Sequence, residues 1–376
     1  MLNFSFFQCK VIQTCNIMGR YWPVAVDVIV FLAFFGNTLL EIITQKHIYN
    51  TTTKDHVTTN KLYFCKTSKN SDCYNSSDIG INIQSSAITD YWLLFINLAS
   101  LLMAMPSTVL LGIWSEKDGR KVVLIVSLLG TVLRVGLFII IIQFQESFYF
   151  FIIASLITCT LGCNISLMAS SMAFIADITN IEQRTLRIVC LDCAKGFGIG
   201  LAYFISGFYL EHDWFQHFLW LVLAVSIFNI MYIFFFLEET IIINESAPTC
   251  SCNYFVGIYR VFSFDPGNGR RWRLLTFAAA LFIGGIVSSG TNNLLILYAQ
   301  TSLCFTLIWT GYLYGALTLR FIPSLASVKL LQTITRISNN WLIEAGLLSF
   351  FAGLVLAALS NTTRLLFNGK CYRCDF

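Results

Sequence analysis

The sequence predicts an all-α membrane protein, and three observations carry that prediction: the composition, nine long apolar runs, and the placement of basic residues between them. Of 376 residues, 56% are hydrophobic and 12% charged, whereas soluble domains average about 45–50% apolar and about 25% charged. So few charges cannot clothe a water-facing surface, but a helical bundle in lipid can turn phenylalanine and isoleucine outward. Phenylalanine alone occurs 34 times. The net charge of +4 then speaks of sidedness in a membrane, not of a nucleic-acid partner.

A helix crossing a bilayer needs about 20 mostly apolar residues. Nine runs satisfy this: 24–45, 91–113, 122–142, 148–175, 188–210, 215–237, 274–298, 305–326 and 342–359. Upstream of the first, the chain is interrupted by Gln8, Lys10, Gln13 and Arg20. No cleavable leader is expected there, and the first span is expected to direct insertion itself.

Basic residues set the orientation. Connections after spans two, four, six and eight carry Lys117, Arg120, Lys121, Arg184, Arg187, Arg260, Arg270, Arg271, Arg273, Lys329 and Arg336, while those after three, five and seven carry no Lys or Arg. The basic set is expected on the cytoplasmic side, with the N-terminus. The long polar connection 46–87 holds two glycosylation sequons, at Asn50 and Asn75, which make sense only on the outer or lumenal face. Asn244, also in a sequon, falls in a cytoplasmic connection and is expected to carry no sugar.

Thirteen cysteines are scattered without a ligand pattern, and those within apolar runs act as small hydrophobes. Cys65, Cys73 and Cys304 fall on the outer face, where an oxidising compartment permits pairing. A bond between Cys73 and Cys304 would tie the two halves of the molecule together. A local Cys65–Cys73 pair, or three free thiols, are the alternatives. The lone C-x-x-C at Cys371 and Cys374 has no second pair or histidine, so no metal site and no cofactor are expected. No nucleophile, base and orienting group meet at recognisable spacing, so an enzyme is not expected.

The stretch Gly112-Ile-Trp-Ser-Glu-Lys-Asp-Gly-Arg-Lys121 lies between spans two and three. Glycines at both ends, an acid at the centre and a basic pair at the close suit a tight turn bracing two helices. Gly112, Glu116, Lys117, Gly119, Arg120 and Lys121 follow the order of the loop that major facilitator transporters carry between their second and third helices, with Glu where Asp is usual. The chain resembles that superfamily. The resemblance implies that the acid docks against a helix terminus or an arginine when the cytoplasmic gate is closed.

Further stretches narrow the likeness. Ala176-Asp177, Gln183 to Ile188, Leu191-Asp192, Phe234 to Glu238, Leu297-Tyr298 and Leu303-Cys304 are similar to solute carrier family 46. That family includes the proton-coupled folate transporter and a lysosomal member, of which the latter looks nearer. The resemblance implies proton-coupled movement of organic anions or amphiphilic conjugates across a plasma or lysosomal membrane by alternating access, with small-molecule substrate, protons and the bilayer as partners. It also implies a plan of 1–23 as cytoplasmic N-terminus, 24–237 as a six-helix bundle, 238–273 as cytoplasmic linker, 274–360 as a partial second bundle and 361–376 as tail. The family has twelve spans against nine here, so the chain is expected to be truncated. A product that does not transport, or that acts by associating with the full-length carrier, is the rival reading. The folate transporter carries a histidine in helix seven; near Ser288 and Ser289 there is none, which argues against folate.

Ionised groups within a membrane are costly, and each is a functional hypothesis. Asp192 in span five matches an acidic position linked to proton coupling in the family. Three residues away, on the same helix face, Lys195 could instead neutralise it as a structural ion pair. Arg134, near the middle of span three, needs an anionic ligand or an acidic partner on span four or five. Asp177 with Arg184 and Arg187 is expected to form a cytoplasmic gate. Glu41 either hydrogen-bonds within the bundle or faces the outer vestibule. Asn292 and Asn293, in a glycine-rich span seven, are expected to face substrate.

Overall fold

The computed structural model describes residues 22–64, 74–144, 146–209, 215–239, 270–301, 312–313, 315 and 339–358. Among these the chain is helical. The elements are α1 (Trp22–Phe64), α2 (Tyr74–Asp118), α3 (Arg120–Phe144), α4 (Tyr149–Cys159), α5 (Cys163–Ile178), α6 (Ile181–Tyr209), α7 (Phe215–Phe236), α8 (Arg270–Thr301) and α9 (Asn339–Ala358). Six segments within the described residues are long and apolar enough to cross a bilayer: Val24–Lys54, Ala87–Glu116, Arg120–Phe144, Tyr149–Ile178, Gln183–Gly207 and His217–Phe236. They correspond to the first six runs of the sequence. The eighth run, 305–326, lies almost entirely outside the described residues.

Three boundaries differ from expectation. The stretch read as a turn over Gly112 to Lys121 is helical up to Asp118, and Gly119 alone separates α2 from α3. The connection read as polar over 46–87 is helical to Phe64 and again from Tyr74. The threonines are accommodated there because their hydroxyls are satisfied by carbonyls of the preceding turn: Thr51 to His47 O at 2.9 Å, Thr52 to Ile48 O at 2.8 Å and Thr53 to Tyr49 O at 2.8 Å. The fourth span is broken into α4 and α5. Gly162 takes φ +104 at the break, a left-handed conformation that costs glycine nothing. Ser107, one residue after Pro106 of α2, donates to the Cys159 carbonyl at the break at 2.9 Å, and Thr108 meets Ser166 at 2.9 Å. Thus polar groups of α2 stitch the interrupted span, as backbone freed within a membrane requires.

α1 sits at the centre, packed against α6, α7 and α2, and touching α5 and α3. Two apolar clusters stack along it. One joins Val26, Ile29 and Val30 to Leu124, Leu128, Leu167, Phe174, Leu191 and Ile233. The other joins Leu39, Leu40, Ile43 and Ile48 to Ile96, Val135, Phe138, Phe151 and Val222. Asn229 of α7, fully buried, donates to the Ile29 carbonyl at 3.0 Å. Away from α1 the large side chains turn outward: Leu98, Leu102 and Met105 of α2, and Phe234, Phe235 and Phe236 of α7, are exposed. Outward-facing hydrophobics of this size suit lipid.

Candidate transport site

The start of α3 gathers four helix ends on one face of the bundle. Gly119, φ +107, turns the chain between α2 and α3. A Cβ on it would collide with the carboxylate of Glu239, which follows α7 and closes over the first turn of α3. Glu239 Oε1 accepts from the Arg120 amide at 2.8 Å and Oε2 from the Lys121 amide at 3.1 Å. These amides belong to a helix start, where N–H groups have no internal partner and the dipole favours an anion.

Side chains of the same turn hold the neighbours. Arg120 Nε pairs with Asp177 Oδ2 of α5 at 3.0 Å, while Nη1 donates to Ser115 Oγ of α2 at 3.0 Å. Lys121 Nζ donates to the Phe234 carbonyl of α7 at 3.3 Å and lies 5.5 Å from that residue's ring centre. Trp114 Nε1 donates to Asp118 within α2. So α2, α3, α5 and α7 meet at one latch.

The structure revises three expectations here. The acid that docks on a helix terminus is Glu239; Glu116 lies exposed at the end of α2. Asp177 pairs with Arg120, not with Arg184 or Arg187. Arg184 Nη2 instead donates to the Ala176 carbonyl at 2.9 Å, satisfying an orphan acceptor where α5 ends and favouring its negative pole. Arg187 Nη2 pairs with Asp27 Oδ2 of α1 at 3.1 Å. Glu239 was missed because single acids after an apolar run are common; the available signal was the Glu238-Glu239 pair closing the sixth run on the basic side.

Deeper in the bundle, Lys195 Nζ meets Asp192 Oδ1 at 2.8 Å, and its ammonium lies 5.9 Å from the ring centre of Phe34 on α1. Arg134 of α3 is 8% exposed. Its guanidinium lies 5.3 Å from the Phe138 ring centre, and its Nε has no hydrogen-bond partner. Among the described residues it forms no ion pair. The expected carboxylate on span four or five does not reach it. A guanidinium cannot shed its charge when buried, so this one must be balanced at longer range or by a ligand.

Gly112 and the exposed Asn50 are described, in α2 and α1. Lys117, Asn75, Asn292 and Asn293 lie on described helices, but their side chains are outside the described residues. Cys73, Cys304 and Cys65, and the sequon at Asn244, are outside them altogether.

A bundle of apolar helices, latched at one face and carrying ionised side chains at its centre, defines a polytopic membrane protein of the carrier type. The profile of the Major Facilitator Superfamily matches residues 28–369, and the chain belongs to that superfamily. Its relatives include members of solute carrier family 46. The proton-coupled folate transporter of Rattus norvegicus is 28% identical over 345 residues, covering 92% of this chain and 73% of the relative. The lysosomal proton-coupled steroid conjugate and bile acid symporter SLC46A3 of Gallus gallus is 25% identical over 358 residues, covering 91% and 75%. Of these two, the folate transporter has the higher identity, which reverses the expectation that the lysosomal member is nearer. The human organic anion transporter MFSD10 superposes with TM-score 0.70 at 16% identity over 95% of this chain and 82% of its own, and so shares the fold.

Proposed function

We propose that this protein is a proton-coupled symporter of organic anions or amphiphilic conjugates, working by alternating access with its basic face in the cytoplasm. The observation that carries the substrate class is Arg134, a buried, unpaired cation inside a carrier bundle. A fixed positive charge in a low-dielectric crevice recruits an anion and disfavours cations. Proton coupling is supported by the names of the relatives above and by Asp192, a carboxylate held within a membrane span. In this reading Asp192 takes a proton in each cycle and Lys195 positions it, while Asn292 and Asn293 complete the substrate site from α8. The membrane is plasma or lysosomal.

The latch around Glu239 is the gate: its contacts join α2, α3, α5 and α7 on the basic face and must loosen when that face opens. The test is flux in proteoliposomes containing the purified chain, with radiolabelled taurocholate as the amphiphilic anion. Uptake driven by an inwardly directed proton gradient and abolished by a protonophore supports the reading. Uptake indifferent to the gradient removes the proton coupling, and no uptake of taurocholate or folate at any pH removes the transport reading itself.

A further inference from the structure

We propose that Glu41 is a proton site distinct from Asp192, and that its protonation releases Arg134 to bind the substrate anion. This rests on the proposed proton-coupled anion symport and assigns the two charges that would enforce it.

The placement of Glu41 comes first. Asp27, Phe34 and Glu41 are spaced by seven along α1 and therefore share one face of that helix. Asp27 meets Arg187 and Phe34 meets Lys195, so this face looks into the bundle. Around Glu41, Asn37 and Thr44 are buried and Ile48 is fully so, yet Glu41 itself is exposed. Gln45, one turn further on, is exposed as well, and because this face looks into the bundle we read the exposure as an opening between helices and not towards lipid. Asn37 Nδ2 donates to Glu41 Oε1 at 3.1 Å and orients the carboxylate.

Arg134 shares that level. At about 1.5 Å per residue, Glu41 lies roughly 26 Å into the first span and Arg134 roughly 21 Å into the third, both measured from the basic face. Asp192 lies only about 13 Å into its span by the same rise. The neighbours agree: Leu40, Val135 and Phe138 belong to one apolar cluster, Leu191 to the other. Glu41 and Arg134 form no direct ion pair. A gap between opposed charges is room for a ligand.

Other ionisable groups around Glu41 are at different heights or neutral in kind. On α1 itself, His47 lies beyond Glu41 and Asp27 far below. α2 carries no ionised side chain between Asp90 at one end and Glu116 at the other, and α7 none between His217 and Glu238. α6 brings Tyr203 above Lys195. The break between α4 and α5 brings the thiols of Cys159 and Cys163. Lys195 lies about 18 Å into its span by the same rise but is held by Asp192, so Arg134 is the cation near this depth that forms no ion pair among the described residues.

Charge balance does the coupling. With Glu41 ionised the pair is neutral, and an added anion would leave the crevice with a net negative charge in low dielectric. When the carboxylate takes one proton from the far side, the guanidinium is uncompensated, and one monovalent anion restores neutrality. Loss of that proton to the basic side returns the carboxylate, which competes with the anion for the guanidinium and expels it. One proton thereby accompanies one negative charge.

The experiment is calorimetric titration of the purified full chain with taurocholate between pH about 5.5 and pH about 7.5, in buffers of different ionisation enthalpy, so that protons taken up on binding are counted. Wild type is expected to gain affinity as pH falls, by up to about tenfold per pH unit, with proton uptake approaching about one per anion. Glu41→Gln should take up about one proton fewer per anion than wild type and lose the matching part of the pH dependence, whereas Glu41→Asp should retain both features. Arg134→Gln should lose binding at every pH. If Glu41→Gln takes up as many protons per anion as wild type, the assignment to Glu41 is overturned and the symport reading survives. If wild type binds with no proton uptake, or does not bind, both fall.

Discussion

Glu239 spans the start of α3 with both carboxylate oxygens, 2.8 Å from the Arg120 amide and 3.1 Å from the Lys121 amide. Two consecutive helix amides received by one carboxylate from just beyond the end of another helix make a cap and a tether in the same contact. The cap stabilises α3; the tether fixes the end of α7 to the α2–α3 turn.

Removing the charge but keeping an acceptor, by Glu239→Gln, is expected to cost about 1 kcal/mol, and Glu239→Ala about 2 kcal/mol. Apparent melting temperatures of the purified protein should then fall in the order wild type, Gln, Ala. Equal melting temperatures for all three would show that the cap contributes nothing.

The two glycines of the motif should behave differently. Gly119→Ala places a methyl group against Glu239 at a positive φ, and a cost of about 1–3 kcal/mol follows from strain and displacement together. Gly112 has nothing within 4 Å of the position its Cβ would take, so Gly112→Ala in a helix should be neutral or slightly stabilising. A melting comparison in which Gly112→Ala is the more damaging would contradict the described turn.

Arg120 and Asp177 form a contact with side-chain exposures of 13% and 36%. Solvent reaches the carboxylate, so a double-mutant cycle with Arg120→Gln and Asp177→Asn should yield a modest coupling, about 0.5–1 kcal/mol. Arg120→Gln alone should be worse than Asp177→Asn, because it also loses Ser115. Strict additivity would mean the pair does not form.

Asp27 and Arg187 are more enclosed, with exposures of 19% and 23%. Asp27 Oδ1 and Arg187 Nε lack partners, so removal of either group strands the other in a poorly solvated place. Asp27→Asn and Arg187→Gln are each expected to lower stability by about 2–3 kcal/mol, with the double variant less damaging than their sum. Yields and melting temperatures unchanged in both single variants would count against the contact.

Asp192 separates a functional from a structural role. If it carries the proton, Asp192→Asn abolishes gradient-driven uptake while substrate exchange at equal pH persists. If its salt bridge with Lys195 only neutralises charge, the double variant Asp192→Asn with Lys195→Gln should restore gradient-driven uptake. Unaltered pH dependence in Asp192→Asn would end its part in coupling.

Apolar length and the alternation of basic connections determined, without coordinates, that this chain crosses a membrane repeatedly, because burying or exposing a run of about 20 apolar residues is a local property of the sequence. The turn at Gly119 and the start of α3 were legible for a similar reason, since a turn and a helix start need particular residues, although Gly112 to Asp118 continue α2 instead of forming a loop. Partnership was not legible. Asp177 lies seven residues before Arg184 but pairs with Arg120, and the acid over α3 comes from beyond α7. The break at Gly162 was equally hidden, since an apolar run gives no sign of a left-handed residue that α2 supports from outside. Only the packing of the helices brings Arg187 to Asp27 and leaves Arg134 with no ion pair among the described residues, because the energy of a charge in a membrane depends on which other charge lies near it, and that is a distance in space rather than along the chain.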